Sequence, residues 1–514
     1  MDLRTITKCP PFFEISGATI RKNGRIILED FNWKIEEGQQ WAIIGPVGAG
    51  KSMLLEAITG DADLISGSLD FHFQSDDLNA NSSLYSRVSR NVACVNFKED
   101  SKSFSYSRHY YQQRFNAFDS DDGPTAAVFL QAGGFCENDP SHQEIIQILG
   151  LESLLNVELI KLSNGQTRRL MIAKALMRRP ELLLLDNPYI GLDVAGRTAL
   201  NNYLDCIILA GKIKIILVAA QTDIPERITH VLLLDHEGIV KAGKKEEVLP
   251  LAGKKPLPGI SESSAELKDR IKKLLKNYQD ETLFNTIFSL KQTNISYNHK
   301  KILDGINWTV RQGEKWALLG PNGSGKSTII SLIYADNPQA YANELILFDH
   351  RRGTGESIWD IKKNIGFTSP ELHLYFDGRF TCSEVVITGL FDGMYLKRQP
   401  TRQEAELMDC LFAYFGIASL KNILFSRVSA GEQRIILFLR ALIKNPLLLL
   451  LDEPFQAFDP STIEKAKELL NLFGDEHRSM IFITHYAGEI PDCVDHVMNI
   501  EKGRVISENC STVL

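Results

Sequence analysis

The sequence predicts two α/β domains in tandem, each built around a largely parallel β-sheet. The first observation is an internal repeat: a shift of 275 residues places "ILEDFNWKIEEGQQWAIIGPVGAGKS", from Ile27, on "ILDGINWTVRQGEKWALLGPNGSGKS", from Ile302, without a gap. In both copies a glycine-rich loop lies between an apolar strand and a helix-like run, which is the chain order of α/β folds. Both halves also contain a run of leucines, typical of a strand buried on both faces of a parallel sheet.

The repeat sets the expected domain limits. Two tryptophan pairs coincide in it, Trp33 with Trp308 and Trp41 with Trp316, and we expect all four to be core residues. The ends repeat as well, because "LLLDHEGIVKAGKKEEVL" closes the first half and "VMNIEKGRVISENCSTVL" closes the second. The expected organisation is a first domain of residues 1–252, a linker of residues 253–286 and a second domain of residues 287–514.

The linker contains "KKPLPGISESS", whose proline, glycine and serine residues are typical of a domain connection. The part from Glu266 to Glu281 is expected to form a short amphipathic helix. Its lysines would lie in solvent, with contact to nucleic acid as the alternative. Its apolar face would consist of Ile271, Leu274, Leu275 and Tyr278.

Composition places the 514-residue chain among soluble globular proteins, with 44% apolar residues, 24% charged residues and a net charge of −7. This balance gives no simple basic surface for nucleic acid. The eight cysteines contain no CxxC pair, which favours free thiols in a reducing compartment. No apolar run reaches membrane-spanning length and no signal peptide is visible, so we expect a cytoplasmic protein. The alternative is a mitochondrial protein, because the N-terminus carries Arg4 and Lys8, although Asp2 accompanies them.

The two glycine-rich loops, "GPVGAGKS" and "GPNGSGKS", both match the phosphate-loop pattern GxxxxGK[ST] between a strand and a helix. Glycines let the backbone wrap phosphates, so that successive N–H groups point inward at the helix N-terminus. The lysine would neutralise β- and γ-phosphate charge, and the serine would offer its hydroxyl to Mg²⁺. The residues expected to contact the nucleotide are Gly45, Pro46, Val47, Gly48, Ala49, Gly50, Lys51 and Ser52 in the first loop, and Gly320, Pro321, Asn322, Gly323, Ser324, Gly325, Lys326, Ser327 and Thr328 in the second.

Each leucine run ends in an aspartate, Asp186 in "LLLLDNP" and Asp452 in "LLLLLDEP". A carboxylate at the carboxyl end of a parallel strand lies beside the phosphate loop and can hold the shell of Mg²⁺. The sequence therefore predicts two metal sites, one at Ser52 with Asp186 and one at Ser327 with Asp452.

A third repeated motif, "LSNGQTRR" in the first half and "VSAGEQRI" in the second, has its glycine, Gly165 or Gly431, 21 residues before the strand-ending aspartate. A further aspartate, Asp193 or Asp459, follows each strand. The chain resembles the ATP-binding-cassette (ABC) family over nearly its whole length, in the phosphate loop, the third motif, the aspartate-ended strand and the aspartate that follows it. The third motif corresponds to the signature of that family.

The resemblance implies P-loop nucleotide-binding domains with a helical signature subdomain each, packed head to tail around two Mg·ATP. Each ATP would lie between the phosphate loop of one cassette and the signature of the other. Ser163, Gly165 and Gln166 would then serve the second phosphate loop, and Ser429 and Gly431 the first.

The two halves differ at the residues that the resemblance makes catalytic. In the second half Glu453 would polarise the attacking water and His485 would contact the γ-phosphate, together with Lys326. The aligned residues of the first half are Asn187 and Gln221, and an amide cannot accept a proton at neutral pH. We expect one hydrolytic site and one that binds and holds ATP; the alternative is that the amides have no mechanistic use.

The position of adenine stacking is also asymmetric, since Tyr297 aligns with Lys22. We expect Tyr297 to stack on adenine, with an ordinary surface position as the alternative.

A narrower resemblance to the tandem cassettes of the ModF and photorepair type is carried by "YYQQRFNAFDSDDGPT" and by "IGFTSPELHL" with "FDGMYLKRQPT". The Q-loop glutamine of the family has no clear counterpart, because "NVACVNFKED" and "NIGFTSPELH" occupy its places. The aromatic insertion of residues 98–123 is either a contact surface for a partner or an ordinary loop.

Together these features predict an ABC-type ATP hydrolase that drives a conformational cycle on an unknown protein partner, such as a membrane subunit in transport. The paired cassettes within one chain predict a monomer. Two alternatives stay open: a translation factor of the ABC-F type, which has a longer charged linker and two complete sites, and a non-hydrolytic module clamped by ATP.

Overall fold

The computed structural model describes residues 11–22, 25–73, 88, 90–97, 123–159, 162–211, 213–235, 238–252, 263–276, 283–297, 300–370, 372–376, 378–393 and 395–510. The chain divides into two compact units; the described residues of the first extend to Ala252, and those of the second begin at Ser263. Tyr278 and all of the 98–123 insertion except Gly123 lie outside the described residues.

The first unit contains two sheets. One has the strand order β5-β6-β7-β3-β8-β9, in which β5 to β8 run parallel and β9 is antiparallel to β8; the other is antiparallel with the order β2-β1-β4. The strands are β1 (Phe13–Lys22), β2 (Arg25–Ile35), β3 (Trp41–Ile44), β4 (Asp63–Phe71), β5 (Val92–Asn96), β6 (Leu182–Asp186), β7 (Lys214–Val218), β8 (His230–Asp235) and β9 (Gly238–Lys244). The described helices are α1 (Lys51–Thr59), α2 (Ala126–Gln131), α3 (Pro140–Ile148), α4 (Asn164–Leu176), α5 (Val194–Leu209) and α6 (Lys245–Val248).

The second unit repeats this plan, with a sheet of order β15-β16-β17-β12-β18-β19 and an antiparallel sheet of order β11-β10-β13-β14. Its strands are β10 (Thr286–Tyr297), β11 (Lys300–Arg311), β12 (Lys315–Leu319), β13 (Glu344–Leu347), β14 (His350–Arg351), β15 (Ile365–Thr368), β16 (Leu448–Asp452), β17 (Ser479–Ile483), β18 (His496–Glu501) and β19 (Arg504–Cys510). Its helices are α7 (Ser263–Lys276), α8 (Lys326–Ile333), α9 (Ile358–Lys362), α10 (Cys382–Thr388), α11 (Arg402–Tyr414), α12 (Ala430–Leu442) and α13 (Pro460–Phe473).

The leucine strands are buried as expected. In β6 all four leucines are fully buried between parallel neighbours on both sides, and β16 has the same position in the second sheet. The repeated tryptophans are confirmed as core residues: Trp33 and Trp41 meet edge to face with ring centroids 5.3 Å apart, and Trp308 and Trp316 with centroids 5.6 Å apart.

The linker helix α7 packs on the second unit. Its apolar face is buried at Ile271, and its charged face joins two other helices. Arg270 donates to Glu406 of α11 at 2.7 Å, and Lys268 pairs with Glu468 of α13 at 2.6 Å. The helix therefore bridges two elements of the second unit.

Replacing Ile271 by alanine is expected to lower the free energy of unfolding of the second unit by about 2–5 kcal/mol, because its fully buried side chain leaves a cavity. Urea unfolding measures this change. The control is Lys272→Ala on the exposed face of the same helix, expected within about 0.5 kcal/mol of the parent protein. An equal decrease in the free energy of unfolding in the two variants would show that α7 does not pack on the second unit.

Candidate functional site

Both phosphate loops connect a central parallel strand to a helix, β3 to α1 and β12 to α8. The first glycine of each loop passes very close to the neighbouring strand, β8 or β18. A Cβ atom on Gly45 would lie 2.4 Å from the carbonyl oxygen of Leu234, and one on Gly320 would lie 2.2 Å from that of Ile500. Only glycine fits there, so the packing of the sheet and the shape of the loop depend on the same residue.

The lysine of each loop folds back over its own backbone. Nζ of Lys51 donates to the carbonyl oxygens of Gly45 and Pro46 at 2.7 and 2.6 Å, and Nζ of Lys326 does the same with Gly320 and Pro321 at 2.7 and 2.9 Å. Each ammonium group is thereby held over the concave side of a loop whose glycines expose backbone N–H groups.

The second loop also holds a buried hydroxyl, Oγ of Ser324, which has no hydrogen-bond partner among the described residues. A buried polar group without a partner requires an explanation, and a ligand that carries oxygen atoms supplies one. The loops therefore fit the phosphate groups of a nucleotide.

In the first unit the strand-ending carboxylate lies beside the phosphate loop. Oγ of Ser52 donates to Oδ1 of Asp186 at 3.0 Å, which brings the two predicted metal ligands together. Burial raises the pKa of Asp186, while its hydrogen bonds from Ser52 and Asn187 and the charge of Lys51 oppose that rise. A partly buried carboxylate beside a hydroxyl is a hard oxygen donor set that fits Mg²⁺. Metal binding at this site, and at Ser327 with Asp452, stays a prediction.

The second unit brings together the two predicted catalytic side chains. Nε2 of His485 lies 2.5 Å from Oε1 of Glu453, and both side chains are mostly buried. The contact lacks hydrogen-bond geometry, and Nε2 has no hydrogen-bond partner elsewhere in the described structure. Gln456 donates its side-chain amide to the other carboxylate oxygen, Oε2 of Glu453. Gln456 has no part in the sequence prediction.

The aligned amides of the first unit do not form such a pair. Nδ2 of Asn187 donates to Oδ1 of Asp186 at 2.7 Å, and Gln221 is exposed and donates to the carbonyl oxygen of Leu249 at 3.0 Å. The backbone is nevertheless equivalent, since Asn187 and Glu453 both adopt the left-handed conformation, with φ of 51° and 45°. At this position the two units thus share a backbone conformation and differ in the side chain that it presents.

The signature serines begin helices. Oγ of Ser163 accepts from the backbone N–H of Gln166 at 3.3 Å, and the Gln166 side chain accepts from Ser163 N–H at 2.8 Å. Ser429 and Glu432 form the same capping box at the start of α12. The spacing S-x-x-Q/E in the sequence is the signal of such a capping box, whereas the family resemblance predicts only a ligand contact for these residues. Gly165 and Gly431 lie in the first turns of these helices, and their contact with ATP stays a prediction.

Tyr297 ends strand β10 and is half-buried. Its hydroxyl accepts from Nδ2 of Asn337 at 2.9 Å, and the same amide donates to Ser331 of α8 at 3.0 Å. Burial raises the pKa of Tyr297, so its hydroxyl is neutral at physiological pH. The ring is therefore held next to the helix that follows the phosphate loop, and its stacking on adenine stays a prediction.

Each unit carries a phosphate loop, an aspartate-ended strand and a capped helix in the same order on a largely parallel sheet. This repeated set defines a tandem nucleotide-binding protein. The chain belongs to the ABC transporter family, whose model matches residues 28–190 and 303–456. Members of this family are ATPases whose domains bind ATP, typically with Mg²⁺. In the described part of the chain, no helix is both long and apolar enough to cross a bilayer.

Relatives cover nearly the whole chain. The ABC transporter ATP-binding protein ModF of Escherichia coli is 32% identical over 492 residues, which cover 94% of this chain and 95% of the relative. An uncharacterized ABC transporter ATP-binding protein of Schizosaccharomyces pombe is 33% identical over 488 residues, covering 93% and 96%. Among solved structures, a model of ribosome-bound archaeal Pelota and ABCE1 matches with a TM-score of 0.58 at 17% identity, covering 96% of this chain and 78% of that one, which shows a shared fold.

Proposed function

We propose that this chain is an ATP hydrolase in which the second phosphate loop carries hydrolysis and the first holds Mg·ATP. The single observation that carries the proposal is the contact of Glu453 with His485, set against the separate hydrogen bonds of Asn187 and Gln221. The equivalent left-handed position presents a carboxylate in contact with a histidine in one unit and an amide in the other.

At the second site, Lys326 and the loop N–H groups would hold the phosphates. A bound Mg²⁺, held by Ser327 and Asp452, would supply neutralisation of the β- and γ-phosphate oxygens. Water attacks the γ-phosphorus, the bond to the ADP oxygen breaks, and Glu453 accepts the proton of the water. His485, whose Nε2 makes no hydrogen bond within the described residues, would donate to a γ-phosphate oxygen.

At the first site, Lys51 and Ser52 provide the same phosphate and metal contacts, but no general base follows Asp186. The amide of Asn187 donates to that carboxylate and has no basic electron pair to take a proton from water. Such a site binds nucleotide and keeps it.

Family membership supports the crossed arrangement, in which the signature of each unit completes the phosphate site of the other. Ser163, Gly165 and Gln166 would face the second loop, and Ser429 and Gly431 the first. Hydrolysis would then drive a conformational cycle on a protein partner. The names of the relatives favour a transport role, with the membrane-spanning part supplied by another chain.

Lys326→Ala is expected to abolish phosphate release, while Lys51→Ala is expected to remove one slowly exchanging nucleotide per chain. Each lysine offsets phosphate charge in its own loop, so each variant empties a different site. Radiolabelled ATP measures both quantities, as phosphate released and as nucleotide retained after gel filtration. The parent protein should retain about one nucleotide. Loss of retention in Lys326→Ala but not in Lys51→Ala would reverse the assignment, and no phosphate release from the parent protein would leave a clamped binding module.

A further inference from the structure

Asn337, shortly after helix α8, is a buried residue whose side-chain oxygen and nitrogen are both hydrogen-bonded. The residue is 2% exposed. Its Nδ2 donates to the hydroxyls of Tyr297 at 2.9 Å and Ser331 at 3.0 Å, which uses both amide hydrogens. Its Oδ1 accepts from the backbone N–H of Gln339 at 3.0 Å. A flipped amide would turn its hydrogens toward that N–H, so the hydrogen bonds fix the orientation of the side chain.

The amide of Asn337 connects Tyr297 to the helix that follows the phosphate loop. Ser331 is a buried residue of α8, and its Oγ donates to the carbonyl oxygen of Thr328 at 2.6 Å. Thr328 lies in the first turn of α8, directly after Ser327. Tyr297, Asn337 and Ser331 thus form a continuous hydrogen-bonded path, which we call the amide bridge, from the ring to the first turn of α8.

Side-chain amides also hold the end of strand β10, on the side away from β11. Strand β13 pairs with β10 only over Phe288–Lys291. Past that point, two side chains each exchange a pair of hydrogen bonds with the backbone of one residue of β10. Gln339 does so with Ser296 at 2.9 and 3.3 Å. Asn343 does so with Asn294 at 2.9 and 3.2 Å. This end of the strand therefore depends on side chains for its position.

The amide bridge has no counterpart in the sequence of the first unit. The residues that a shift of 275 positions places on it are Lys22, Glu56 and Ala62. The alanine has no side-chain donor, and the lysine has no ring to orient. The bridge is therefore a property of the unit that carries Glu453 and His485, which is the unit proposed to hydrolyse ATP.

We propose that Asn337 is a positioning residue of the second nucleotide site, which holds the ring of Tyr297 ready to stack on adenine before the nucleotide binds. The proposal rests on the function proposed above and on the predicted stacking of Tyr297. A side chain that is already fixed has less freedom to lose on binding, so affinity rises although Asn337 itself would not touch the ligand. Because the loop and Lys326 would hold the phosphates, the effect should be confined to the base.

The test compares the binding of adenylyl imidodiphosphate with that of inorganic tripolyphosphate, which has no base. Both are measured with Mg²⁺ on the full chain carrying Lys51→Ala, so that the second loop is the one occupied. Adding Asn337→Ala is expected to weaken binding of the nucleotide about 2- to 10-fold and to leave binding of tripolyphosphate unchanged. Disruption of the whole site would instead weaken both ligands.

Two substitutions of Tyr297 separate the tether from the ring. Tyr297→Phe keeps the ring and removes the tethered hydroxyl, so it should weaken the nucleotide as Asn337→Ala does. The double variant should be little weaker than either, because both changes remove one interaction. Tyr297→Ala removes the ring and should weaken the nucleotide by about 10-fold or more.

The matched control is Asn343→Ala, which removes an amide that also makes two hydrogen bonds to β10 but does so at Asn294. It should leave both affinities unchanged. Parent-like nucleotide binding in Asn337→Ala, or equal weakening in Asn343→Ala, would overturn the proposal. Parent-like binding in Tyr297→Ala would refute the stacking and the proposal with it. If the Lys51→Ala protein bound no nucleotide at all, the proposed function itself would be wrong.

Discussion

Glu453→Gln is expected to lower steady-state ATP turnover by at least about 10²-fold, with ATP affinity nearly unchanged. The substitution keeps the size of the side chain and removes the group that accepts a proton from water, and general-base assistance contributes about 10²–10⁴ in rate. Its environment supports this role: the carboxylate is 13% exposed and has His485 at 2.5 Å. The measurement is kcat from phosphate release together with Kd from nucleotide binding.

The control for that variant is Asn187→Ala, at the equivalent left-handed position of the first unit. Because Asn187 donates to Asp186 and offers no base, its loss should reduce turnover far less. Equal slowing by the two variants would mean that the two sites share the chemistry and that the asymmetric interpretation is wrong.

Ser163→Arg is expected to abolish turnover as completely as Glu453→Gln, although the two residues lie in different halves of the sequence. In the proposed crossed arrangement the signature of the first unit would face the second phosphate loop, so a bulky cation at Ser163 would fill the γ-phosphate pocket of the hydrolytic site. Ser163 is exposed at the start of α4, so an arginine there can be accommodated without disturbing the packing of the first unit. Turnover is measured in the two single variants and in the double variant Ser163→Arg/Glu453→Gln. The double variant should be little slower than either single variant, because both residues would stabilise the same transition state and such effects are not additive.

Loss of the capping hydroxyl alone costs α4 about 1 kcal/mol, so a matched variant is needed. Ser429→Arg removes the same cap from α12 and should mainly shorten ATP retention at the first phosphate loop, with a smaller effect on turnover. If Ser163→Arg lowered turnover only slightly and Ser429→Arg abolished it, the units would not pair head to tail, or the first loop would carry catalysis.

The elements that the sequence predicted well are those whose pattern is local. Strands β6 and β16 carry leucines on both faces and so have no polar face for water, which predicts their burial within a parallel sheet. Gly45 and Gly320 are required by the shape of their loops, whichever side chains surround them. The approach of Ser52 to Asp186 follows from where a strand and a loop end on one sheet edge.

What the sequence could not predict depends on side-chain direction and on tertiary partners. Nothing local distinguishes an Asn187 amide that donates to Asp186 from one that faces solvent. The sequence predicted that α7 has an apolar face, but its docking and the choice of α11 and α13 as partners require the folded second unit. The hydrogen bond from Asn337 to the Tyr297 hydroxyl has no sequence pattern at all, because it joins residues that lie 40 positions apart.

The docking of α7 onto the second unit shortens the tether between the two cassettes. From Ala252 to Ser263 only ten residues intervene, which span at most about 40 Å. Two modules joined by so short a chain meet at an effective concentration on the order of millimolar. Any pairing of the cassettes is then unimolecular. An interface with a dissociation constant below about a millimolar would be substantially formed, even where the separate cassettes did not associate. In the proposed crossed arrangement, bound nucleotide would supply the remaining binding energy, so the fraction of paired cassettes would depend on the ATP concentration and not on the concentration of the chain.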